Sequence, residues 1–152
     1  MSIELRIQAL SPKIGKEIPL PSYATAGSAG MDLRACIDAP VAIPAGERAM
    51  IPTGLAIALP GPEWVALVYA RSGLAIKHGL APANCVGVID SDYRGEVTVG
   101  LLNSSREDYT IEPGERVAQL VIMPVTQARI TVTDALDETE RGSGGFGSTG
   151  RS

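Results

Sequence analysis

Apolar positions along the chain come in short runs, most alternating with polar residues, and the runs are separated by proline and glycine. They fall at residues 3–7, 31–37, 48–51, 55–59, 64–69, 86–89, 96–102, 117–123 and 128–132. Turn formers lie between many of them, among them Pro44-Ala-Gly46, Leu59-Pro-Gly-Pro62 and Glu112-Pro-Gly114. Short runs of two-residue period broken by such turns predict strands, and this many predicts an all-β sandwich or barrel with antiparallel pairing. One stretch differs. Ser72-Gly-Leu-Ala-Ile-Lys-His78-Gly79 opens on serine, continues with helix formers and stops on glycine, which predicts one short helix with Ser72 as its N-cap.

The turn chemistry also echoes itself. Ile43-Pro-Ala-Gly46-Glu47-Arg48 returns as Ile111-Glu-Pro-Gly114-Glu115-Arg116. Two copies are too few for a repeat protein, but they suit a jelly roll, in which similar hairpins recur on two packed sheets.

A chain of 152 residues suffices for one domain with a core of its own, without disulfide or metal staples. The net charge of −4 is spread evenly and no run of lysine or arginine occurs, so the electrostatic footprint of a nucleic-acid binder is missing. A small anion remains a possible ligand. The N-terminal Met-Ser-Ile-Glu-Leu-Arg-Ile has neither the apolar stretch of a signal peptide nor a membrane-length run. The expectation is a soluble, cytoplasmic protein with no membrane partner. Cys36 and Cys85 stand singly and read as structural thiols rather than metal ligands or nucleophiles. His78 is the only histidine, and its Lys-His-Gly setting reads as a solvated helix end rather than a catalytic centre.

The last twelve residues, 141–152, form a separate compositional unit. They contain five glycines and the only phenylalanine in the chain, Phe146. Glycine at this density leaves too many backbone states to freeze, so the segment is expected to be a flexible arm on a β domain of residues 1–140. An aromatic ring between glycines, preceded by Arg141, has the parts of a lid. The ring can stack on a flat base and the guanidinium can fork onto phosphate.

Polar clusters interrupt the strands. Ala24-Thr-Ala-Gly27-Ser-Ala-Gly30-Met31-Asp32-Leu-Arg34 delivers Asp32 onto a strand, and Arg34 reads as structural. Arg71-Ser72-Gly73 places a guanidinium and a hydroxyl where free N–H groups open the helix, an anion site in outline that a structural arginine and a cap would explain equally well. Asn84-Cys-Val-Gly87-Val-Ile-Asp90-Ser-Asp-Tyr93-Arg-Gly95 reads as a hairpin with its turn at the polar centre. It gathers an amide, a carboxylate and a phenol in one place. Gln119 inserts a neutral amide among apolar neighbours.

Met31-Asp32-Leu33 after a glycine loop, Arg71-Ser72-Gly73, Gly87-Val-Ile-Asp90-Ser-Asp-Tyr93-Arg-Gly95, Gly114-Glu-Arg116-Val-Ala-Gln119-Leu and Arg141-Gly-Ser-Gly-Gly-Phe146-Gly resemble, in order, the five motifs of the homotrimeric dUTPases. The departures are small: Ala70 stands where many members have proline, and Ser148-Thr149 fill variable positions.

The resemblance implies hydrolysis of dUTP to dUMP and pyrophosphate, which keeps uracil out of DNA and supplies dUMP for thymidylate synthesis. Water attacks the α-phosphorus, with Mg²⁺ bridging the triphosphate oxygens. Asp90 would be the general base and reach the 3′-hydroxyl, and Tyr93 would pack on the sugar and exclude a 2′-hydroxyl. Asn84, with backbone around Gly87, Val88, Ile89 and Asp90, would read the uracil edge, and Thr98 would line the same pocket. Arg71, Ser72, Gly73 and Gln119 would bind phosphates, and Asp32 would act on the metal through water. Arg141 would reach the γ-phosphate and Phe146 would stack on uracil. The three sites of a homotrimer would be shared between subunits.

Two rivals are weaker. A dCTP deaminase on the same fold needs a glutamate aimed at the base, and Glu96 and Glu107 lack that context. Against a dUTPase-like binding or signalling protein that keeps nucleotide affinity but not turnover stand the intact Asp90, Arg71 and Gln119.

Overall fold

The computed structural model describes residues 2–145. In chain order the strands are β1 (Arg6–Ala9), β2 (Met31–Arg34), β3 (Val41–Ile43), β4 (Arg48–Ala58) and β5 (Trp64–Tyr69). The helix α1 (Ser72–His78) follows, then β6 (Leu80–Pro82), β7 (Gly87–Ile89), β8 (Glu96–Asn103), β9 (Tyr109–Ile111) and β10 (Arg116–Pro124). Two four-stranded sheets, ordered β1-β4-β8-β6 and β2-β10-β5-β7, are joined by the small pair β3-β9. Every strand pairing among these elements is antiparallel. This is the expected jelly-roll-like antiparallel sandwich with one short helix.

The period-2 pattern decides which faces meet. Along β8, Val97, Val99, Leu101 and Asn103 turn inward and the residues between them are half-exposed. Leu33, Ile43, Ile51, Leu101, Ile111 and Leu120 are fully buried in one core between the sheets. Burying each such side chain stabilises the fold by about 1.5–3 kcal/mol. Asn103, equally buried, donates to the Ile43 and Glu107 carbonyls and accepts from the amide and hydroxyl of Ser105. These bonds offset the cost of taking its polar atoms out of water.

The echo in the sequence is an echo in space. β3 and β9 pair with each other, and each then makes a four-residue turn closed by Glu47 N–H to Pro44 O (3.0 Å) or Glu115 N–H to Glu112 O (3.1 Å). Gly46 (φ 82°) and Gly114 (φ 78°) occupy the left-handed position that such turns require. One copy leads into β4 and the other into β10, on opposite sheets.

Several expectations change. Residues 48–51 and 55–58 belong to the single strand β4, which is interrupted by a bulge between Pro52 and Ala56 and ends before Leu59. The turn that follows β7 does not make a hairpin. β7 pairs with β5, whereas β8 pairs with β4 and β6, so Asp90 to Gly95 crosses between sheets. The helix has the predicted bounds and its Gly79 stop (φ 69°), but Arg71 holds the N-cap position and no side chain caps it. Ser72 is therefore the first helical residue. Residues 128–132 form no strand; Ile130 and Val132 lie 88% and 92% exposed. Alternation alone cannot make a strand where no neighbour supplies the ladder. The three-residue strands β3, β6 and β9 are too short to show a period. Cys36 is half-buried, but Cys85 is exposed, with a left-handed backbone (φ 65°).

Candidate active site

The crossing between the sheets opens a pocket of about 430 Å³. Asn84, Gly87, Val88, Ile89, Asp90, Tyr93 and Thr98 all line it. At Gly87 a Cβ would lie a tight 3.1 Å from Val68 Cβ, so glycine lets β7 approach β5 closely. The turn itself is closed by Tyr93 N–H to Asp90 O at 3.1 Å, and Arg94 Nη1 donates to the Ser91 and Tyr93 carbonyls. The Tyr93 hydroxyl donates to Glu96 O at 3.1 Å. Gly95 permits this, since a Cβ there would fall 2.2 Å from the Tyr93 oxygen. The result is an exposed carboxylate, Asp90, at the rim of a pocket with an amide on one side and a phenol on another. Such a group can accept a proton from water and a hydrogen bond from a sugar.

The second constellation lies on β2, β10 and the end of β5, in the sheet that also carries β7. In register, Gln119 on β10 sits between Asp32 on β2 and Tyr69 on β5. Asp32 Oδ1 accepts from Arg71 Nε at 2.8 Å, and its Oδ2 lies 3.3 Å from Arg116 Nη1. Gln119 Nε2 donates to Ala70 O at 2.8 Å. Gly30 gives Gln119 room, since a Cβ would stand 3.0 Å from its Oε1. Ser72 and Gly73 open α1 and are exposed. Arg34 Nη1 donates to Gly114 O at 2.9 Å, which ties β2 to the turn before β10.

Within one chain the second constellation is not part of the pocket wall. Arg71, Ser72, Gly73 and Gln119 do not line the pocket that holds Asn84, Asp90 and Tyr93. Arg141 is exposed and donates through Nε to Gly144 O at 2.9 Å, and Phe146 lies outside the described residues. Met50, Glu96 and Gly100 also line the pocket; the sequence brought up Glu96 only as a deaminase glutamate and assigned none of the three to this site. Glu96 and Gly100 share the face of Thr98 at two-residue spacing, the signal that would have found them. Met50 needed the register, in which it faces Gly100. Among the described residues no group of three His, Cys, Asp or Glu side chains converges to hold a metal. No helix among them is long and apolar enough to cross a membrane.

The dUTPase family model matches residues 16–150. The chain belongs to the dUTPase family. It is 52% identical over 149 residues to the deoxyuridine 5'-triphosphate nucleotidohydrolase of Idiomarina loihiensis, covering 98% of this chain and 99% of that one. To the protein of the same name from Tolumonas auensis it is 55% identical over 149 residues, covering 98% and 97%. Among solved structures, it is similar to a mutant of the Staphylococcus bacteriophage 80alpha dUTPase with dUpNHpp. There the TM-score is 0.84 and the identity 27%, covering 97% of this chain and 99% of that one. The enzyme is a dUTP diphosphatase and its reaction is dUTP hydrolysis.

Proposed function

We propose that this dUTPase splits dUTP into dUMP and pyrophosphate by water attack on the α-phosphorus, in sites shared between the subunits of a homotrimer. The observation that supports it is that Arg71, Ser72, Gly73 and Gln119 do not line the pocket of their own chain. A base-and-sugar pocket without phosphate-binding groups and a phosphate cluster without a pocket complement each other when copies associate. Ile130, Val132 and Leu136, 85–92% exposed on the segment after β10, favour the same conclusion, because apolar side chains in such a row gain by burial against another copy.

Asp90 is the general base in this reading, and Tyr93 excludes the 2′-hydroxyl. Asn84, with the β7 backbone from Gly87 to Ile89, reads uracil, and Thr98 lines that wall. Arg71, Ser72, Gly73 and Gln119 from a neighbouring copy hold the phosphates. Positioning and charge neutralisation are the main tasks in phosphoryl transfer, and these neutral and cationic donors suit them. Mg²⁺ fits this donor set as a passenger of the triphosphate. Both Asp32 oxygens face arginines, which leaves that carboxylate a role through water. When bound, the ion would neutralise charge on the phosphate oxygens. Residues 141–152 close the site, with Arg141 on the γ-phosphate and Phe146 on the base.

Pyrophosphate release measured with dUTP, UTP, dTTP and dCTP in the presence of Mg²⁺ tests the reading. The expected result is turnover of dUTP far above the other three. Comparable turnover of UTP or dTTP overturns the pocket assignments.

A further inference from the structure

We propose that Glu96 is a positioning residue that sets sugar selectivity by fixing Tyr93 to the sheet. The inference rests on the reading in which Tyr93 excludes a 2′-hydroxyl. Its basis is the bulge in β4. Three residues, Thr53, Gly54 and Leu55, lie between the paired positions Pro52 and Ala56, where β8 has only Val97 between Thr98 and Glu96. Ladder bonds fail there and side chains replace them. Thr53 Oγ1 donates to Val97 O at 2.5 Å, and Glu96 Oε1 accepts the Gly54 N–H at 2.7 Å.

The bulge is a rigid anchor. Gly54 has φ 70°, and a Cβ there would stand 2.7 Å from Cys36 Sγ, so only glycine fits. The Gly54 carbonyl accepts from Leu10 N–H at 2.8 Å, which holds the same residue from the other side. Glu96 then joins two structures. Its side chain grips the bulge and its backbone carbonyl takes the Tyr93 hydroxyl at 3.1 Å. The other bonds of the turn, from Tyr93 N–H and Arg94, are internal to it. The path from the Tyr93 ring to the sheet therefore runs through Glu96. Without that carboxylate the Gly54 N–H loses its partner, the start of β8 relaxes, and the ring gains room to admit a 2′-hydroxyl.

A glutamine can accept the same N–H, whereas aspartate keeps the charge but falls one methylene short. The test compares kcat/KM for dUTP and UTP, by pyrophosphate release, in the wild type, Glu96→Gln, Glu96→Asp and Glu96→Ala. Expected is a dUTP-to-UTP ratio that falls about tenfold or more in the Asp and Ala variants and stays near wild type in Gln. An unchanged ratio in Asp and Ala overturns the proposal, as does an equal fall in Gln. If Glu96→Ala does not fold, Asp against Gln decides. A wild type that does not prefer dUTP overturns the Tyr93 reading, and the proposal with it.

Discussion

Asp32 on β2 reaches past β10 to hold Arg71 beyond the end of β5, with 2.8 Å between Oδ1 and Nε. Each side chain is about a third exposed or less (32% and 27%), so solvent screens the pair and its direct worth to stability is at most about 1 kcal/mol. Orientation is its larger effect, since an arginine fixed through Nε presents its outer nitrogens in one direction. Asp32→Asn is expected to fold normally, with kcat/KM for dUTP reduced by about tenfold or more. Arg71→Lys, which has no Nε fork, is expected to lose as much. Steady-state kinetics beside thermal denaturation check both, and wild-type kinetics in Asp32→Asn would show that Arg71 needs no such guide.

Asp90→Asn removes the proposed base with hardly any change in shape. Its exposed position on the turn means that no core contact is lost. Turnover is expected to fall by about 10²–10⁴-fold, while dUTP binding measured by calorimetry persists. Undiminished pyrophosphate release from the purified variant would remove Asp90 from the role of base.

The parts legible from sequence are those whose determinants are local. Gly79 announces the end of α1, and Asn84, Gly87 to Asp90 and Tyr93 come to one pocket because β7 and the short segments at its two ends carry them. Where partners decide, local pattern is silent. Residues 86–89 and 96–102 look like a hairpin, yet β7 has its hydrogen bonds to β5, and β8 has its own to β4. Arg71 and Asp32 are 39 positions apart, and no periodicity connects them. The resemblance to a family placed both in one site, but not in contact. Residues 128–132 alternate as a strand should, and their partner, if another copy supplies it, is not encoded within reach of the segment.

Tyr109 provides a pH signature independent of catalysis. Burial and then the hydrogen bond to Glu115 Oε1 (2.8 Å) push its phenol up to about 12 from an ordinary 10.0. The unfolded chain releases this proton near pH 10 and the folded one only near 12. The contribution is therefore fully present below pH 10 and is lost as pH rises toward 12. Urea unfolding midpoints between pH 8 and 11.5 should fall less steeply in Tyr109→Phe than in wild type. Parallel curves would mean that the phenol titrates normally.

Oligomer assembly and closure of the site can be separated by two changes on the same segment. Ile130→Asp with Val132→Asp places charge where 88% and 92% exposed apolar side chains await cover. A buried, unpaired carboxylate costs several kcal/mol, so sedimentation should show dissociation, and dUTP turnover should vanish with it if the sites are shared. Deleting residues 141–152 removes Arg141 and Phe146 but leaves those side chains. That variant should sediment as the wild-type oligomer and lose most of its turnover, if the proposed water exclusion and γ-phosphate contact go with it. A monomer of full activity in the first case would refute shared sites. Normal turnover in the second would reduce the glycine-rich arm to a tail without function.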